Sequence, residues 1–369
     1  MKLEIAVGTA LMLFVLGGVL SCSKNRAGEK PTDSATAENS GTANVRHRSS
    51  AAGNTSGSVA AANAPTNSLF KRIVSGEKAL VTVPHETILA YLQTNASNAE
   101  SLLVAFQASS NRNYLISAAT NFPHDPRVQL AVLMNGVFPE QRATWIARFK
   151  QDAPDNPLPN YIAALDAFKA QQPQAALREL LSAKEKPHYR DYIVDNIQAL
   201  EELYLADGRP PAEAKLAGMA NVQMPHLKFL RDLGKDEVDL EKRYVAAGDQ
   251  RSAEFMAADA VRMARQLSSG DGAVSLLSQL VGIATESSAL KELPADARPS
   301  FLSTSAQERM AELQEQRQAI RDSAKFWDQW LGTASENDLI AYFDRLKLYG
   351  ESGAMAWLQN RYAAANNAR

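Results

Sequence analysis

The chain has 369 residues, with 39 Lys+Arg against 41 Asp+Glu and a formal net charge of −2. That balance excludes a polybasic nucleic-acid binder and an acidic solvating tail as the main identity, so no nucleic-acid partner is expected. One cysteine in the whole chain excludes an internal disulfide and any cysteine-rich zinc or iron–sulfur centre.

Residues 1–22 read MKLEIAVGTALMLFVLGGVLSC. Lys2 precedes a run from Ile5 to Leu20 that is free of charge and proline. The run falls short of the about 20 apolar residues that span a bilayer and suits the apolar region of a secretion signal. It ends in Val19-Leu20-Ser21-Cys22, which resembles the lipobox of bacterial lipoproteins. The resemblance implies that Cys22 is acylated, palmitate being one expected chain, and becomes the mature N-terminus. Several acyl chains on one residue anchor stably where a single short one, at about 0.8 kcal/mol per buried methylene, holds only marginally. The expected location is the bacterial cell envelope, on the outer or cytoplasmic membrane and facing the periplasm or surface. A signal-anchor helix or a plain signal peptide is the competing reading of the same segment.

Residues 23–68 are dominated by Ser, Thr, Ala, Asn and Gly, and Leu, Ile and Phe are nearly absent before Leu69 and Phe70. Such a stretch buries too little apolar surface to offset its ordering entropy, so it is expected to be a disordered tether. A flexible coil of about 46 residues has an r.m.s. span of roughly 40 Å. The small basic cluster Arg46-His47-Arg48 reads as solvated linker charge. Residues 69–83, with β-branched side chains around Gly76, are expected to form a short strand or hairpin.

From Pro84 onward the pattern is helix after helix: 85–93, 99–108 with Leu102, Leu103 and Phe106 on one face, and 114–120. The breaks are short, which predicts antiparallel helical hairpins. Asp125-Pro126, Asp155-Asn156-Pro157 and Lys186-Pro187 recur at intervals of about 30 residues and are expected to open successive hairpins. Small residues and anchors fall at Ala163, Ala164, Ala167, Ala176, Leu177, Leu180 and Ala183. Tyr204-x-x-x-Gly208 and Tyr244-x-x-x-Gly248 put a ring inside each first helix and a glycine at its left-handed end. With Tyr161, these tyrosines are expected to pack and not to contact a partner. The arrangement resembles a degenerate tetratricopeptide repeat. The fold class expected is therefore all-α: a right-handed α-solenoid of antiparallel hairpins over 69–300, after a signal peptide (1–22) and a tether (23–68), with a helical cap at 301–369. An irregular helical domain with Ala-rich helices is the alternative.

In the cap, Ser305-Ala306-Gln307-Glu308 is a capping box and Ser335-Glu336-Asn337-Asp338 resembles a second. Helices are expected to Gly332, to Tyr349-Gly350 and over 354–363. Phe326, Trp327, Trp330, Tyr342, Phe343 and Trp357 gather there, as a core sealing the last repeat or as an aromatic contact patch.

Chemistry is sparse. The histidines (His47, His85, His124, His188 and His226) lack metal-ligand spacing, no glycine-rich phosphate loop or Gly-x-Ser-x-Gly elbow is present, and Cys22 is committed to lipid. Residues 351–359 (ESGAMAWLQ) are similar to pieces of the lytic transglycosylase motif, in which a Glu-Ser pair supplies the general acid. Here the pieces overlap directly and ten residues follow Gln359, too few for the rest of that catalytic domain. No catalytic, cofactor-binding or metal-binding residue is nominated; the site residue is the lipidation position, Cys22. The expected function is a lipid-anchored envelope scaffold that binds a protein or peptide through a helical-repeat surface. The alternatives are an envelope enzyme of glycan or peptide metabolism and a small-molecule module lined by the aromatics near Trp327.

Overall fold

The computed structural model describes residues 82–367, apart from 271 and 332. The signal, Cys22, the tether and nearly all of the 69–83 segment lie outside the described residues. Within them every regular element is a helix, so the chain is all-α. No described helix is long and apolar enough to cross a membrane.

Side-chain caps and prolines set the helix starts. Helix α1 (His85–Thr94) follows Pro84, and α2 (Ala99–Ser109) and α3 (Arg112–Asn121) begin where Asn98 and Asn111 accept from backbone N–H groups. Asp125 caps α4 (Pro126–Asn135), and a 3-10 turn then leads into α5 (Arg142–Asp152). Helices α6 (Leu158–Lys169), α7 (Pro173–Lys184), α8 (Ile193–Ala206), α9 (Pro211–Asn221) and α10 (Pro225–Ala246) follow. Asp249 caps α11 (Gln250–Ser268) and Ser275 caps α12 (Leu276–Leu290). Helix α13 (Ala306–Leu331) opens with the expected capping box: Ser305 N donates to Glu308 Oε2 at 2.7 Å, and Glu308 N donates to Ser305 Oγ at 3.2 Å. Helix α14 (Glu336–Asn367) starts at Ser335 and kinks at Gly350, whose φ is +72°.

Consecutive helices pair as hairpins: α2 with α3, α4 with α5, α6 with α7, α8 with α9, α10 with α11, and α11 with α12. Gly208 and Gly248 end α8 and α10 with φ of +78° and +76°, as the Tyr-x-x-x-Gly spacing predicts. Small residues mark the crossings. A Cβ on Gly218 of α9 would lie 3.1 Å from the Glu201 N and Ile197 O of α8, and one on Gly282 of α12 would lie 2.4 Å from Ala264 O of α11. Such backbone proximity is open only to a residue without a side chain.

One expected hairpin opens later than its proline suggests, at Ile193. No helix begins at Lys186-Pro187; residues 186–192 run irregularly before α8. Asn156 holds this segment, its Nδ2 donating to Arg190 O at 2.8 Å and its Oδ1 accepting from Arg190 N at 3.2 Å. Tyr189 is buried beside Gly272, where a Cβ would meet its ring at 2.7 Å. Proline at the first turn permits a helix without requiring one, and here the backbone of Arg190 is engaged by Asn156 instead. Helix α8 packs on α1 and α2, α10 packs on α6, and α14 returns to α9. A strictly one-dimensional array would have each hairpin touch only its neighbours.

Two carboxylates secure the last helices. Glu201 of α8 accepts from Lys215 (2.6 Å) and Lys347 (2.7 Å), and Lys215 also reaches Asp344 at 2.6 Å. Glu286 of α12, fully buried, is held by Arg309 of α13 at 2.8 and 3.0 Å and by Arg265 at 3.2 Å. Trp327, Trp330, Tyr342 and Phe343 are buried, with ring centroids 4.4–6.1 Å apart, as the core beneath the cap.

Gly282→Ala is expected to lower stability by about 1–3 kcal/mol, because the added methyl must push α12 off the α11 backbone. Urea denaturation compares it with Gly208→Ala, where nothing lies within 4 Å and only the left-handed φ is strained.

Candidate functional site

Helix α11 has two stripes. Ala253, Met256, Ala257, Ala260, Ala264 and Leu267 face the core. Arg251, Phe255, Ala258, Arg262, Arg265 and Ser269, spaced alternately by four and three residues, form the floor of a cleft of about 730 Å³. Lys184 at the end of α7 forms one wall, and Ser300 and Phe301, ahead of α13, form another. The volume lies within the range of ligand-binding sites, about 300–1,000 Å³.

Four cations, Lys184, Arg251, Arg262 and Arg265, line the cleft against two carboxylates, Glu254 and Asp259. Arg265 is committed to Glu286 and donates to Phe301 O at 3.3 Å. Arg262 donates through Nη2 to Asp259, while its Nε and the Asp259 Oδ2 are buried without a hydrogen-bond partner. Lys184 and Arg251 form no ion pair among the described residues. After these pairings the rim keeps two unpaired cations against Glu254.

Behind the floor, Tyr161 of α6 donates its hydroxyl to Gln266 Oε1 at 2.6 Å, and burial pushes its phenol above the usual range. Glu237 of α10 is fully buried, and neither of its oxygens has a partner. Burial raises its carboxyl to about 8, against the opposing pull of Arg262. Glu241, one turn on, is likewise raised to about 8 by burial, with Glu292 adding to the rise. Without a neutralising cation in contact, both are held in the protonated form near neutral pH.

Tyr161 and Tyr204 are buried and Tyr244 is partly buried against the core, so all three pack as expected. His85 and His188 are exposed; His124, also exposed, places Nδ1 3.1 Å from Asp152 Oδ2, while Asp125 caps α4. His226, by contrast, is buried with Asp191. Among the described residues no cluster of three or more His, Cys, Asp or Glu is placed to hold a metal ion. Glu351 does not line the cleft: its Oε2 accepts from Leu276 N at 2.7 Å, capping α12, and Ser352 Oγ donates to Gln279 Oε1 at 3.0 Å. Burial lifts the Glu351 carboxyl to about 7. The Glu-Ser pair thus ties the kink of α14 to the start of α12. The cleft itself was missed by sequence reading, because the alternating Arg stripe on α11 looks like any solvated helix face until Phe301 and Lys184 wall it in.

No family model matches this chain, and no curated protein or solved structure shows significant similarity to it.

The raised Glu237 carboxyl has a definite stability signature. Its folded pKa exceeds the unfolded one, so the folded state is favoured below about pH 4.5 and loses that advantage as pH rises toward 8. Relative to the native chain, Glu237→Gln is therefore expected to gain about 2 kcal/mol between pH 5 and pH 7. Thermal melts across that interval test it; a difference that is flat with pH would refute the buried protonated carboxyl.

Proposed function

We propose that the protein is a lipid-anchored envelope scaffold that holds an acidic peptide segment of a partner in the α11 cleft. The observation that carries the reading is the cleft: about 730 Å³, floored by the stripe from Arg251 to Ser269, with Phe255 and Phe301 for apolar contact and an excess of cations. That combination favours an extended peptide bearing carboxylates, which supplies charge for Lys184 and Arg251 and apolar groups for the rings. The succession of hairpins supports the reading of the body as a tetratricopeptide-like right-handed solenoid, locked by the return of α14 onto α9. In this reading Cys22 carries the acyl chains, residues 23–68 are the leash, and the helical body reaches its partner from the membrane surface.

Mass spectrometry of the membrane-extracted protein is expected to find a mature N-terminus at Cys22 with its acyl mass; replacing Cys22 by Ala releases the protein from the membrane. For the cleft, a photocrosslinker at Phe255 is expected to capture one envelope partner through an acidic segment. The double substitution Lys184→Glu and Arg251→Glu weakens that capture about tenfold, and the wild-type interaction falls with added salt. Capture that is indifferent to the charge reversal would reject the cleft as the docking place.

A further inference from the structure

The arginine-bearing floor of the α11 cleft lies over a carboxyl that has no partner. Glu237 of α10 is fully buried, and neither of its oxygens has a hydrogen-bond partner. The helices meet too tightly there to admit a layer of water. One turn earlier, a Cβ on Gly234 would lie 2.6 Å from Thr285 Cγ2 of α12 and 3.4 Å from Met263 Cε of α11. The helices packed on α10 each bring charged or titratable groups to this region. Helix α10 itself holds Asp236 and Glu241, whose negative charge favours the neutral acid at Glu237. Helix α6 supplies Lys169, which acts on Asp236, and the Tyr161 hydroxyl, already donated to Gln266. Helix α12 supplies Glu286, neutralised by Arg265 and Arg309. Helix α11 supplies Asp259 and Arg262, and Arg262 is the cation that draws Glu237 toward its charged form.

Arg262 stands between two carboxyls. Through Nη2 it donates to Asp259, which lines the cleft, while its Nε is buried without a partner and its charge also acts on the Tyr161 hydroxyl. We propose that the proton on Glu237 gates the α11 cleft: while the carboxyl is neutral Arg262 stays on Asp259, and when the proton leaves Arg262 turns inward to Glu237. The inference rests on the reading of the cleft as the seat of an acidic segment and adds the regulation of that seat. After the internal pairings, Lys184 and Arg251 face Glu254 with one positive charge in excess. A charged Glu237 beneath the floor cancels that excess, and Arg262 leaves the Asp259 carboxylate unpaired beside the cleft. An acidic segment is then repelled where it was held. Burial raises the Glu237 carboxyl to about 8, so the seat is open near neutrality and shuts in mild alkali. Glu241 loses its proton in the same range, but the charges that act on it are Glu292 and Lys242, which do not line the cleft.

The test follows the full chain by NMR from neutral to alkaline pH, with labelled glutamate carboxyl carbons and arginine Nε groups. The Glu237 carboxyl and the Arg262 Nε are expected to titrate together near pH 8, and in Glu237→Gln the Arg262 signal stays at its neutral-pH position. In parallel, a fluorescent peptide carrying several glutamates and one phenylalanine is bound below and above that titration. The native chain is expected to hold it about tenfold more weakly on the alkaline side. Glu237→Gln removes that loss, and Glu241→Gln keeps it. An Arg262 signal indifferent to the Glu237 titration, or a loss of binding that persists in Glu237→Gln, overturns the gate. Failure of the peptide to bind at either pH rejects the acidic-segment reading instead, and the Arg262 signal then decides the gate by itself.

Discussion

A carboxylate withdrawn from water must find cations, and the placement of the last helices depends on two that do. Glu201 collects Lys215 and Lys347, and Glu286 collects Arg265 and Arg309. Each draws together side chains of three helices: Glu201 those of α8, α9 and α14, and Glu286 those of α11, α12 and α13. Removing both cations of either carboxylate would strand a charge in a place where it cannot be hydrated, a cost far above that of an exposed pair. The terminal helices are consequently joined to the centre of the chain, α13 to α12 and α14 to α8 and α9, and not just to their sequence neighbours.

Glu237 and Glu241 show the same physics with the opposite outcome. Neither has a cation in hydrogen-bond contact, so burial favours the uncharged acid in both. These groups weaken the fold as pH rises. Such a cost tends to sit near function, and Glu237 lies under the floor of the α11 cleft, where Arg262 and Asp259 also keep unmet hydrogen-bonding atoms.

Helix α11 joins the packed core to the cleft. Its Ala and Met stripe lets α10 and α12 approach closely, which holds the opposite, arginine-bearing stripe in a rigid register. In the proposed reading this rigid presentation limits the entropy lost when a segment docks, and the flanking walls come from elements that α11 does not control alone. The Glu351-Ser352 pair contributes at a distance: it holds the residues just after the Gly350 kink against the start of α12, and beyond them Ala354, Met355 and Leu358 are buried in the core.

Much of this was legible in the chain itself, wherever the cause is local. Asx and Ser caps, the capping box at Ser305, the left-handed glycines at 208 and 248 and the burial of Tyr161 and Tyr204 follow from hydrogen bonds and periodicities spanning a few residues. Apolar periodicity likewise settled the all-α class. Tertiary structure alone decided the irregular run at 186–192, where Asn156 captures the backbone of Arg190 and no helix starts at Pro187. It also decided that His226 meets Asp191, that Glu351 serves as a cap, and that ordinary surface arginines line a cleft. Those outcomes depend on which distant helices become neighbours, and desolvation acts on side chains only once that packing has chosen their surroundings.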